Sequence, residues 1–408
     1  MSTTVVTTTE VAQPTIRVKG VESKVQPKPT QTAAAGRAWS LKEIRDAIPN
    51  DCFESSLPTS LAYLARDIAY CAALVYLALQ IEYLPNASVR FAAWAVYGFV
   101  QGCVGTGIWI LAHECGHGAF SRYPQVNDFI GWVCHSFLLV PYFSWQITHA
   151  RHHRNTGHIE KDPVFTPTKE SDLPDTHDHH AHDLFEDAPI KTTFDFIVHQ
   201  LIGWQLYLSL NVTAGSRSGR LDAPNNPKGS HFNPLGDLWN KDQRRLILYS
   251  DIGLLLTLSG LYLAGRVISP WTVVALYLPP YLWVHNWLVA ITYLHHTDPS
   301  VPYYDDQSWS FTKGALSTVD RDFGFIGRHF MHDIIDHHVV HHLFTKIPFY
   351  NAQRATEAIR PVLGERYKSR KDVNFVGDLV QTFGKCEFVR RDGEGRWNWA
   401  TKEEMKRE

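Results

Sequence analysis

Three histidine clusters carry the chemistry that this chain can do: His113-Glu-Cys-Gly-His117, His149-Ala-Arg-His152-His153 and His338-Val-Val-His341-His342. On a helix, residues three and four apart share a face, so H-x-x-x-H and H-x-x-H-H each aim two or three imidazoles at one point. Eight imidazoles exceed the three or four protein ligands of a zinc site. So many nitrogens with few carboxylates suggest two metal ions, and imidazole suits iron, copper or zinc. The reading is a dinuclear metal centre. The first cluster is also formally an H-E-x-x-H zinc-protease signature, with Glu114 as general base. An intramembrane protease of that kind needs a further, usually acidic, ligand, and no Asp in the later apolar segments stands in a Gly-flanked motif that would suit. It would also leave both H-x-x-H-H clusters idle. Histidines kept for structure or for metal carriage without turnover are the other alternative.

Around the clusters, Glu114, Glu160, Asp162, Asp333 and Asp336 are placed to fix ring tautomers, or else serve as ordinary surface or capping groups. Tyr293-Leu-His295-His296-Thr297 closes an apolar stretch, and one of its histidines can complete the site; the alternative is a polar cap at a membrane boundary. His285 lies inside that stretch near Trp283 and Trp287, where a buried polar group is either functional or satisfied by packing. His177, His179, His180 and His182 sit among Asp residues in a polar loop and are left out of the site.

The elements that must position these residues are apolar. Mean hydropathy over the 408 residues is -0.20, a value that hides strong segregation. Four segments, about 66–84, 91–112, 247–265 and 271–294, come near the roughly 20 apolar residues a span requires, in two pairs joined by short turns. The expected fold is an all-α polytopic membrane protein: four transmembrane helices in two hairpins, with a cytosolic helical cap holding the histidines. The turns carry one basic residue each, Arg90 and Arg266, of the 39 Lys and Arg in the chain, so by the positive-inside rule both face away from the cytosol. Phe129 to Phe143 is apolar but too short to span, and Pro141 interrupts it; a dip into the interface keeps clusters one and two on one side. Two spans then separate clusters two and three, an even number, so all three converge at one face. An odd number would have placed a whole bilayer between the ligands.

Residues 1–38 read as a disordered tail without the apolar core of a cleavable signal, residues 39–390 as the membrane domain and 391–408 as a polar tail. Ser40 with Glu43 forms a capping-box pattern that opens a short helix outside the bilayer. Phe194 to Thr213 mixes apolar residues with His199, Gln200 and Gln205 and reads as an amphipathic helix in the membrane surface. A net charge of -2 gives no reason to expect nucleic acid as a partner. Six cysteines without paired spacing predict reduced thiols, and the sequons at Asn86 and Asn211 are poor glycosylation sites, one hugging the membrane and one cytosolic.

With the clusters, the stretches Ala112 to Ser121, His135 to Trp145, Asn155 to His158, Ile291 to Thr297, Thr318 to Arg321 and Lys346 to Tyr350 resemble the membrane-bound fatty acid desaturase family, over roughly Leu41 to Phe388. Within it the chain is most similar to the acyl-lipid branch acting at delta-12 and omega-3 positions, and Gly324 to Arg328 with Arg396 to Asn398 look most like fungal members. The resemblance implies iron ligands at His113, His117, His149, His152, His153, His338, His341 and His342, with His296 as the extra ligand. It also implies O2 as co-substrate and electrons from NADH through a separate cytochrome b5 and its reductase, since no His-Pro-Gly-Gly haem motif occurs here. The implied setting is the endoplasmic reticulum membrane with the active site on its cytosolic face. The implied reaction is a cis desaturation at delta-12, omega-3 or both in unsaturated C18 chains; a hydroxylase or acetylenase could use the same scaffold. Two positions depart from the plant pattern: Gly118 stands where a histidine is usual, and His337 where Thr or a small residue is usual.

Overall fold

The computed structural model describes residues 40–173, 189–227, 229–401 and 404. The tail at 1–38 and the four loop histidines at 177, 179, 180 and 182 lie outside them. The chain is mostly helical. Helix α1 (Leu41–Ala47) precedes α2 (Leu57–Ala78), α3 (Ala87–His117), α4 (Pro124–Phe137), α5 (Tyr142–Asn155), α6 (Pro189–Leu210), α7 (Arg244–Val267) and α8 (Pro270–His296). Short elements follow: β1 (Tyr303–Tyr304), α9 (Phe311–Ala315), β2 (Asp320–Arg321), α10 (Gly324–His329), α11 (His338–Leu343), α12 (Phe349–Leu363), β3 (Ser369–Arg370), α13 (Phe375–Lys385), β4 (Phe388–Arg391) and β5 (Arg396–Ala400). The strands pair as β1-β5-β4, antiparallel throughout, and as parallel β2 and β3. Pairing thus runs on past residue 390, where the sequence reading placed a polar tail; the alternation Arg396-Trp-Asn-Trp-Ala400 is the strand signal in that stretch.

Among the described residues, four helices are long and apolar enough to cross a membrane: Leu57–Tyr83, Ala87–His117, Arg244–Val267 and Pro270–His296. The first starts earlier than the apolar run at 66 because Arg66 and Asp67 do not interrupt it. Asp67 is buried and its Oδ2 lies 2.7 Å from His332 Nε2, while Arg66 spans Asp67 and the His329 carbonyl. Apolar side chains such as Tyr76, Leu77, Leu255, Leu256 and Leu263 are exposed on α2 and α7, in the way lipid-facing surface requires.

α3 is the central helix, packed against α2, α4 and α8. Its glycines make the approach to α8 close: a Cβ on Gly98 would lie 2.8 Å from Pro279 Cβ, on Gly102 2.3 Å from Trp283 Cβ, and on Gly105 2.9 Å from Val284 Cγ2. Spaced four and three residues apart, they form one small-residue face, which lets two helices pack by dispersion where no hydrophobic driving force operates. The apolar stretch 129–143 becomes α4 and the start of α5, with the turn between them at Leu139 (φ 53°). The stretch 194–213 is helical as far as Leu210, within α6, which runs along α8. Asn86 caps α3, its Oδ1 accepting from Ser88 N at 2.8 Å, and Ser40 and Glu43 form the expected capping box.

The C-terminal end of α8 is held by a buried arginine. Arg321 donates from Nε to the Leu294 carbonyl (2.8 Å) and from Nη2 to the Thr297 carbonyl (3.0 Å), and it pairs with Asp298 and Asp378. These bonds satisfy orphan carbonyls and tie α8 to α13. Arg321→Ala leaves two buried carboxylates short of their counter-charge and is expected to destabilise the protein by about 3–5 kcal/mol. The exposed pair Arg354–Asp51 is expected to be close to silent on Arg354→Ala. Thermal unfolding of the two variants in detergent checks the contrast.

Candidate metal centre

The last turn of α3 carries His113 and His117, α5 carries His149, His152 and His153, the end of α8 carries His295 and His296, and α11 carries His338, His341 and His342. Their side chains meet in two groups. Ligand atoms of His113, His117, His149, His153 and His341 lie within 4.8 Å of one another, and so do those of His152, His296 and His342. Neighbouring Nε2 atoms are 3.2 Å apart for His113–His117, 3.0 Å for His117–His149 and 3.1 Å for His149–His153; on the other side the spacing is 3.2 Å for His152–His296 and 3.3 Å for His296–His338. Nitrogens bound to one ion at about 2.1 Å stand roughly 3.0–3.4 Å apart, so both groups have the spacing of a coordination shell.

Each H-x-x-H-H cluster straddles the two groups and does not aim at one point. His149 and His153, four apart, face the first group, while His152 is turned about 100° from His153 and faces the second. His341 and His342 divide in the same way. The clusters are therefore interleaved across the two groups.

Hydrogen bonds behind the rings set which nitrogen is bare. His152 Nδ1 lies 2.7 Å from Asp162 Oδ1, which accepts its proton and leaves Nε2 with a lone pair. Thr156 spends its hydroxyl hydrogen on the His152 carbonyl at 2.7 Å, so it accepts from His342 Nδ1 at 3.1 Å. Nε2 of both His341 and His342 is buried without a hydrogen-bond partner. Inward lone pairs, buried and unpaired, are what a metal ion satisfies. Burial, then the neighbouring imidazoles, holds His149, His153, His341 and His342 well below the ordinary histidine range, so they are neutral.

Of the carboxylates near the clusters in sequence, only Asp162 meets a clustered ring in this way. Glu114 accepts from Phe349 N at 3.0 Å and so caps α12, its other oxygen 3.4 Å from His113 Nδ1. Glu160 pairs with Lys169 and Arg217. Asp333 (φ 58°) and Asp336 belong to the approach to α11, where Lys371 is 3.7 Å from Asp336. His295 stacks on His338 with centroids 3.8 Å apart and faces the Ile335 carbonyl. His285 meets Gln205 Nε2 at 3.0 Å and packs on Tyr281. Gly118 ends α3 in the left-handed region (φ 67°), a conformation any side chain there would strain, and its Cβ would come 2.6 Å from Lys346 Nζ. His337 is buried ahead of α11.

Sequence reasoning missed Asp320, whose Oδ1 accepts from Val339 N at 2.7 Å and so anchors α11; it stands in the Thr318 to Arg321 stretch but no spacing marks it. Nor does residue spacing mark which side chains line the cavity. About 110 Å³ of space opens directly beside His149, His152, His296 and His342, with walls from Trp109, Trp145, Trp204, Leu288 and Val289. A metal centre at the side of an apolar cavity can act on an apolar chain.

A sequence model of fatty acid desaturases matches residues 91–373, a stretch that includes every clustered histidine. The chain is 42% identical over 375 residues to an oleate hydroxylase of Claviceps purpurea, covering 86% of this chain and 77% of that protein. It is 41% identical over 367 residues to a delta(12) fatty acid desaturase of Mortierella alpina (87% and 89%), and 41% identical over 357 residues to one of Arabidopsis thaliana (88% and 89%).

Two outcomes are expected. Asp162→Asn replaces the charged acceptor that polarises His152 with a neutral amide, and bound metal should be lost to a chelator at roughly 10–100-fold lower concentration. Because the buried histidines resist protonation when folded, the unfolded chain binds more protons once pH drops below about 6.5, so stability falls with falling pH from there. Unfolding temperature in detergent between pH 8 and 5, recorded after metal removal, measures it.

Proposed function

We propose that this chain, which belongs to the fatty acid desaturase family, introduces a cis double bond at delta-12, omega-3 or both in unsaturated C18 acyl chains of membrane lipid. Membership makes it a membrane-bound oxidoreductase. The observation that carries the finer reading is the double set of inward lone pairs beside an apolar cavity, in a chain 41% identical to delta(12) desaturases from a fungus and a plant.

In this reading the four long helices form two hairpins in the endoplasmic reticulum membrane, and the histidines lie in a helical cap on the cytosolic face. His113, His117, His149, His153 and His341 hold one iron, and His152, His296 and His342, with His338, the other. Two irons supply the electron sharing that dioxygen reduction needs and an oxidant able to take hydrogen from an unactivated methylene. Two hydrogens leave the chain, and with two electrons and two protons one O2 becomes two waters. The electrons come from NADH through cytochrome b5 and its reductase.

The residues themselves contribute position and dryness. Asp162 and Thr156 keep Nε2 of His152 and His342 bare. Trp109, Trp145 and Trp204 wall the space beside the histidines and exclude water, so a methylene lies against the centre in a restricted pose. A shift in that pose changes the outcome, and the oleate hydroxylase relative supports hydroxylation as a second reading.

Expression in a yeast that makes only monounsaturated fatty acids tests it, with mass spectrometry of total fatty acids and linoleate fed in parallel. New linoleate is the expected product of delta-12 activity and alpha-linolenate that of omega-3 activity; a hydroxylated acid would favour the second reading, and an unchanged profile would sink both. His152→Ala should abolish product while the protein still inserts.

A further inference from the structure

We infer that Gly203 is a specificity-determining position: a notch in the cavity wall that receives part of the acyl chain. The inference rests on the desaturase reading above. Gly203 lies in the interior of α6, where glycine destabilises a helix relative to alanine. At Gly98, Gly102 and Gly105 that cost has a packing reason, since a Cβ would collide with α8 at 2.8, 2.3 and 2.9 Å. At Gly203 it has none. A Cβ there would meet Val289 at 3.6 and 3.7 Å and His199 Cδ2 at 3.9 Å, all ordinary contacts. The glycine is not needed to let α6 approach α8.

What the missing side chain leaves is room. His199, Gly203 and Tyr207 stand four residues apart on one face of α6, and all three line the cavity that His152, His296 and His342 also line. Two bulky side chains thus flank a position with none, opposite Val289. The gap is held open by polar contacts between the helices on either side of it: Asn286 Nδ2 donates to Gln200 Oε1 at 3.2 Å, and Gln205 Nε2 lies 3.0 Å from His285 Nδ1. These bonds fix α6 on α8, so the space at Gly203 does not collapse. Since its lining is otherwise aromatic and aliphatic, the group that fits it is a run of methylenes, and a longer chain depends on it more than a shorter one.

The test is a series, Gly203→Ala and Gly203→Val, expressed in yeast supplied with both oleate and palmitoleate, with products and double-bond positions read by mass spectrometry. Iron bound per purified protein is measured alongside, as a readout of the centre that does not depend on turnover. Conversion of oleate relative to palmitoleate should fall modestly in the alanine variant and roughly tenfold or more in the valine variant, with iron retained. A wild-type ratio in both variants, or an equal loss for the two chains, would overturn the notch while leaving the reaction standing. A wild-type protein that converts neither chain would overturn the reaction itself, and the notch with it.

Discussion

Nine imidazoles meet where helices end, seven of them buried, and they are costly unless something accepts their lone pairs; that constraint organises the molecule. A polar nitrogen withdrawn from water and left unpaired costs on the order of 1–3 kcal/mol, and His341 and His342 each present such an atom to the centre. The arrangement does not relax by turning rings outward, because the far nitrogens of His152 and His342 are already engaged by Asp162 and Thr156. Bonds behind the rings and vacant lone pairs in front of them are two halves of one device.

Holding that device requires four separate helical segments to end at the same level. α3 and α8 are brought together by the glycine face at 98, 102 and 105, and both carry histidines in their final turns. Arg321 fastens the end of α8, and Asp320, its neighbour in sequence, fastens the start of α11. One dipeptide therefore positions histidines from two elements. Asp67, within α2, holds His332 in the strained approach to α11, where both His332 and Asp333 have positive φ. Polar residues inside or beside the apolar helices are spent on geometry.

Much of this was legible from residue spacing alone. His113 and His117 sit four apart at the end of an apolar run, so helix, burial and convergence all follow from local pattern, and the even number of long apolar segments between the second and third clusters agreed with their meeting. The division of each H-x-x-H-H cluster between two groups was also latent in the helical repeat, but clustering drew the eye to a single point. Arg66 and Asp67 concealed the first nine residues of α2, because a charge pair reads as the end of an apolar run unless its partners, His332 and the His329 carbonyl, are known. Those partners are more than 260 residues away. The roles of Arg321 and Asp320 and the place of Gly203 in the cavity wall were hidden for the same reason: they are defined by contacts between distant segments, and no local periodicity encodes them.

The interleaving of the clusters has a consequence for how the protein is made. Neither group is complete without α11, since His341 belongs to one and His342 to the other. About 180 residues separate His153 from His338, which at roughly 5–20 residues per second is on the order of ten to forty seconds of translation. Through that interval α3 and α5 are already synthesised, and their histidines face an unfinished pocket. The nascent chain thus has no stage at which one group is whole and the other absent; both are completed together, within a single turn of one short helix.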